Sequence, residues 1–138
     1  MTDYFNTKLT DGELHGVSAL GLAHVGDAVY ELMVRTWLCA HGTVTAKRLH
    51  KETVRFVSAA AQAAAAGRIA EELNAGEQAV FKRGRNSHVN SVPRGATYEQ
   101  YHAATGFETL IGYLYLKGDI GRLNELFGII IESADKAE

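Results

Sequence analysis

The sequence predicts an all-α fold, on three observations. Alanine is abundant and β-branched runs are scarce, which favours helix throughout. A single proline, Pro93, interrupts 138 residues. Apolar residues recur at three- to five-residue intervals, the spacing that lines one face of a helix. With 46% hydrophobic and 22% charged residues, the chain is expected to form one domain, residues 1–138, around a core of its own.

Five main helices are expected. The first runs from about Glu13 to His41 and stops at Gly42, a left-handed terminator. Val17, Leu20, Ala28, Leu32 and Trp37 are its core-facing positions by spacing. Thr45 caps a second helix through the alanine-rich stretch to about Ala66, which Gly67 weakens or ends. After a short segment, 68–73, Asn74 and Glu77 form a capping arrangement for a third helix reaching about Arg83. Residues 84–97 are loop chemistry: Gly84, Asn86, Ser87, Asn90, Ser91, Pro93 and Gly95. A fourth helix, about Tyr98 to Leu116, carries Phe107, Leu110, Ile111 and Leu114. A fifth, about Asp119 to Ser133, carries Leu123, Leu126, Phe127, Ile130 and Ile131.

Composition narrows the function classes. The lone Cys39 excludes an internal disulfide framework, fits a reducing compartment and is read as core packing. The amino terminus carries no basic stretch followed by an apolar one, and the longest apolar runs fall short of a membrane span, so a cytoplasmic protein without membrane partners is expected. The net charge of -2 conceals a segregation. Residues 44–94 hold nine Lys or Arg against four Asp or Glu, and the rest holds five against twelve. A basic face on a mildly acidic protein can meet a nucleic acid.

Two acids stand in apolar helical stripes. Asp27 lies mid-helix beside Ala23 and Leu20, where aspartate is a poor helix former and a carboxylate needs a partner. An exposed or locally paired acid is the plain alternative. Gly26 costs roughly 1 kcal/mol against alanine in a helix, which points either to a close approach by a ligand or to a tightly packed neighbouring helix. Glu108 repeats the pattern, with Gly106 and Gly112 nearby. Two carboxylates from separate helices can hold a hard cation such as magnesium, which accepts a few carboxylate oxygens and keeps its waters. Glu31, one turn after Asp27, is a third carboxylate for the site or an indirect contact. His24 and His102 lack the companions of a zinc site and are read as structural or supporting residues.

No acid occurs between Glu77 and Glu99, a window holding Lys82, Arg83, Arg85, Asn86, His88 and Arg94. A second basic group, including His50, Lys51 and Arg55, follows Lys47 and Arg48 over two helical turns. Both groups suit contact with duplex RNA, which is recognised mainly through phosphates and 2′-hydroxyls, and would suit other polyanions too. A soluble helix and a polar loop are the plain alternative for the two groups.

The segment Leu22-Ala-His-Val-Gly-Asp-Ala-Val-Tyr-Glu31 resembles the Gly-Asp-Ala helix of the ribonuclease III catalytic domain. Gly106-Phe-Glu-Thr-Leu-Ile-Gly-Tyr113 is similar to that family's second acidic helix, and the likeness runs from about Leu14 to Phe127. Leu49-His-Lys51, Val57-Ser-Ala59 and Lys82-Arg-Gly-Arg-Asn86 resemble the Mini-III branch, a catalytic domain with no appended double-stranded-RNA-binding domain. The resemblance implies an all-α, two-fold homodimer making staggered cuts in double-stranded RNA with Mg2+, for which Mn2+ substitutes. In this branch it implies the 23S ribosomal RNA precursor as substrate. By motif position, Asp27 and Glu108 take the catalytic and metal-holding roles. Ala23 and Thr105 stand where full-length members carry two further acids, a reduced set that the Mini-III branch shares; Thr105, like Glu31, is expected beside the pair. The rival expectation is a non-catalytic helical dimer that binds structured RNA or a protein.

Overall fold

The computed structural model describes residues 1–42, 45–87 and 95–136, with residues 135 and 136 by backbone alone. Every regular element among them is helical: α1 Asp11–His15, α2 Ala19–Ala40, α3 Ala46–Val57, α4 Ala59–Ile69, a 3-10 turn Ala70–Glu72, α5 Ala75–Arg85, α6 Tyr98–Lys117 and α7 Ile120–Lys136.

Two of the predicted helices are each broken by a serine. The helix expected over 13–41 divides between Gly16, which closes α1, and Ser18, which opens α2 by accepting a hydrogen bond from the Gly21 amide at 3.0 Å. The helix expected over 45–66 divides at Ser58. Its extended backbone (φ -62, ψ 156) ends α3, and its hydroxyl accepts from the Ala61 amide to begin α4. A serine cap competes well with helix continuation because it satisfies an otherwise orphaned amide. Gly67 does not stop α4, which continues to Ile69. The Asn74–Glu77 capping box, the left-handed Gly42 and the start of α6 at Tyr98 agree with the expectation.

Helix α6 is the centre of the fold. It packs against α1, α2, α4, α5 and α7, and its residues 104–107, 109–112 and Leu114 are buried. A helix apolar around most of its circumference belongs inside a helical cluster. Tyr30 of α2 meets Phe107 edge-to-face at 4.8 Å, and Leu110, Leu114, Leu126 and Ile130 complete the middle of the core.

The stripe assigned to α2 from sequence is the wrong one. The buried face is Ala19, Leu22, Ala23, Gly26, Tyr30, Val34 and Leu38. Leu20 and Leu32 are 46% and 47% exposed, Ala28 is exposed, and Val17 and Trp37 are only partly covered. Helix α2 carries two apolar stripes, and spacing alone does not rank them. Cys39 is likewise exposed, contrary to the expected core position.

Helix α7 is fastened through Arg122, whose guanidinium donates to both Glu77 carboxylate oxygens at 2.9 Å and to the Glu72 carbonyl at 2.6 Å. Arg122 first of all holds the Glu77 carboxyl below the usual glutamate range. Glu77 is buried, so removing its partner leaves a stranded charge. Arg122→Ala is therefore expected to lower unfolding free energy by about 3 kcal/mol, read from urea denaturation at neutral pH. A loss within 0.5 kcal/mol, the range of an ordinary surface change, would refute this account.

Candidate active site

The position of the acids follows from glycines. Where α2 crosses α6, a Cβ on Gly26 would run into the Glu108 carbonyl and stand 2.7 Å from the Gly112 nitrogen. A Cβ on Gly112 would run into the Leu22 carbonyl. The helices thus touch backbone to backbone, and the reading of Gly26 as a site of close helix packing is the one realised. On another side of α6, Gly84 of α5 leaves room for the Thr109 hydroxyl, whose proton goes to the Thr105 carbonyl at 2.7 Å with Ala19 at 3.3 Å. Gly84 and Thr109 were not singled out as a packing pair from sequence. A glycine ahead of a loop reads as loop chemistry, and a threonine in an apolar helix gives no signal of its own.

This crossing puts Asp27, the residue after Gly26, against Glu108, the residue whose carbonyl Gly26 meets. Asp27 is exposed and Glu108 partly buried. The Asp27 carboxyl faces that of Glu108 closely enough to disfavour its ionisation. Burial, the larger cause, followed by the bond to Asp27 and its negative charge, pushes the Glu108 carboxyl up to about 8. Two acids held together at this electrostatic cost are a donor pair for a hard cation. No group of three or more His, Cys, Asp or Glu able to hold a metal occurs among the described residues, and Asp27 and Glu108 are the two carboxylates that this crossing brings together.

The residues expected beside the pair have other partners. Glu31 pairs with Arg35 at 3.0 Å, and the Thr105 hydroxyl donates to the Tyr101 carbonyl at 3.1 Å. His24 is exposed on α2, whereas the His102 ring meets the Arg85 carbonyl at 3.0 Å and so links α6 to α5. Of the residues expected to contact RNA, Lys82, Arg83, Arg85 and Asn86 are exposed at the end of α5. Arg83 is engaged, donating to the Val17 carbonyl at 2.7 Å in the turn before α2. His88 and Arg94 lie outside the described residues. His50, Lys51 and Arg55 are exposed on α3, and Arg55 pairs with Glu52 at 2.8 Å.

The family model for the ribonuclease III domain matches residues 20–119, which include both acids and their crossing. The chain belongs to the ribonuclease III family. Among its relatives, the Mini-ribonuclease 3 of Clostridium tetani is 42% identical over 133 residues, covering 95% of this chain and 88% of that one. The Mini-ribonuclease 3 of Thermoanaerobacter sp. is 42% identical over 128 residues, covering 92% and 90%. A crystal structure of a Fusobacterium nucleatum protein superposes with a TM-score of 0.81 at 28% identity, covering 88% of this chain and 98% of that one. The all-α expectation therefore holds, and the chain is an endoribonuclease related to the Mini-ribonuclease 3 branch of ribonuclease III.

The raised Glu108 carboxyl makes stability pH-dependent. In the absence of metal, a glutamate raised from 4.5 to about 8 by folding contributes stability that is complete below the lower value and lost as pH rises through the upper one. Glu108→Gln keeps a hydrogen-bond donor and cannot ionise. Wild type is expected to lose ground to this variant across that range by at most about 1.4 kcal/mol per pH unit, measured by denaturation in EDTA. Parallel pH profiles for the two proteins would contradict the raised carboxyl.

Proposed function

We propose that residues 1–138 act as a single catalytic domain that hydrolyses double-stranded RNA with Mg2+, or Mn2+ in its place, as a cytoplasmic two-fold homodimer. The substrate is a stem of the 23S ribosomal RNA precursor. The observation that carries this reading is the Asp27–Glu108 carboxyl pair at the α2–α6 crossing, one acid exposed and one partly buried.

The pair suits a divalent ion: Asp27 offers its carboxylate from an exposed position, and Glu108 gives up its proton when the ion is loaded. A bound ion of this kind activates a water and neutralises charge developing on a phosphodiester. Partial burial of Glu108 keeps its carboxyl in a low-dielectric setting, where its interaction with a cation is stronger than in water. Lys82, Arg85 and Asn86 are available at the end of α5 to hold phosphate and ribose oxygens, with His50 and Lys51 as a second exposed group. The exposed apolar positions Leu20, Ala28 and Leu32 on α2 support the dimer, because a second copy can cover such a stripe across a two-fold axis. Two copies supply two equivalent acid pairs, one for each strand of a duplex.

The test is incubation of the protein with long duplex RNA and with single-stranded RNA of the same sequence, with Mg2+ and with EDTA. Cleavage restricted to the duplex and to Mg2+ is expected. Binding without cutting in Mg2+, or cutting that survives EDTA, would overturn the proposal.

A further inference from the structure

A cavity of about 470 Å³ opens between α2, α3, α4 and α7, and neither Asp27 nor Glu108 lines it. It exists because α4 presents Ala61, Ala64 and Ala65 where longer side chains would fill the space. Its lining joins two kinds of chemistry. Arg48 and Arg55 of α3 and Arg68 of α4 bring three guanidinium groups to the lining, beside Glu52, which bonds Arg55 at 2.8 Å. Beside them Trp37 forms an aromatic wall, stacked on His41 at 4.7 Å and met edge-on by Phe56 at 6.2 Å. Tyr30 lies at the buried end, where burial pushes its hydroxyl well above the usual tyrosine range and keeps it a neutral donor.

On α3, at about 100° per residue, Arg48, Glu52, Arg55 and Phe56 fall on one face. Lys47, His50 and Lys51 do not line the cavity, although Arg48, Arg55 and Arg68 are themselves partly open to solvent.

We infer that this cavity binds a nucleoside phosphate, its phosphate on Arg48 and Arg68 and its base against Trp37. Guanidinium forks match phosphate oxygens in pairs. Aromatic side chains stack bases of any identity, and the volume falls in the range of small-molecule sites. The guanidinium groups of Arg48 and Arg68 favour an anion over a neutral ligand. The ligand is either a free nucleotide or the phosphorylated end of an RNA strand, which present the same groups.

Trp37 is the only tryptophan, so its fluorescence reports on this cavity alone. Titration of the full chain with ADP, adenosine, pyrophosphate and a dinucleotide with or without a 5′-phosphate separates the contributions. ADP is expected to give a saturable change and to bind at least about tenfold more tightly than adenosine or pyrophosphate. The double variant Arg48→Gln/Arg68→Gln is expected to weaken ADP by about tenfold or more with an unchanged melting temperature. Asp27→Asn is expected to bind ADP as wild type does, which separates this site from the cleavage site. A 5′-phosphorylated dinucleotide that binds more tightly than ADP assigns the site to RNA ends, and the reverse order assigns it to free nucleotides; both support the inference. No saturable response to ADP or to the phosphorylated dinucleotide, equal affinity for pyrophosphate, or undiminished binding by the double variant overturns it.

Discussion

Asp27→Asn is expected to abolish duplex RNA cleavage while leaving the fold intact. The change keeps side-chain size and removes the charge that a cation would meet first. Stabilisation of a developing phosphodiester charge by a metal is worth several kcal/mol, so a loss of about 10³-fold or more in cleavage rate is expected. Stability moves the other way. After burial, the side chain of Asp27 is the cause of the raised Glu108 carboxyl in the absence of metal. An amide at position 27 donates to Glu108 without repelling it, so the variant is expected to be at least as stable as wild type in EDTA. Function opposing stability at one residue is common where an active site concentrates like charge. The measurements are single-turnover cleavage in Mg2+ and thermal denaturation in EDTA. Cleavage at the normal rate would remove Asp27 from the reaction. A loss of activity matched by a loss of folding would make its role structural.

Gly26→Ala is expected to destabilise the fold strongly. The added methyl group meets main-chain atoms of Glu108 and Gly112, and backbone in the middle of two helices cannot turn aside as a side chain can. The helices must separate, at a cost of about 3 kcal/mol despite the helix preference of alanine. That separation also pulls Asp27 from Glu108, so cleavage by the folded fraction is expected to fall as well. Gly67→Ala is the matched control. Its position in α4 is exposed, with no atom within 4 Å of the added carbon. There the same substitution is expected to stabilise by about 0.5–1 kcal/mol through helix propensity and a less flexible unfolded chain. Chemical denaturation of the two variants gives changes of opposite sign. Equal effects would show that the α2–α6 approach imposes no special constraint.

Much of this protein is legible from local rules. Helix-favouring composition, the Asn74–Glu77 capping box, the left-handed Gly42 and the apolar positions of α6 and α7 act within a few residues of themselves, and each appears in the fold as expected. The anomaly of Asp27 and Glu108 in apolar helices was visible for the same reason: an acid is costly on such a face whatever lies opposite. What lies opposite is a tertiary matter. Only the crossing of α2 and α6 decides that Gly26 admits a helix, that positions 27 and 108 come together, and that Leu20 and Leu32 face outward while Tyr30 faces in. Ser18 and Ser58 belong to the same class, since a serine caps or continues a helix according to how the flanking segments pack. The cavity beside Trp37 is a gap between four helices, and a gap has no sequence of its own. Backbone preference is set by nearest neighbours along the chain, whereas burial, paired acids and empty space depend on residues tens of positions away.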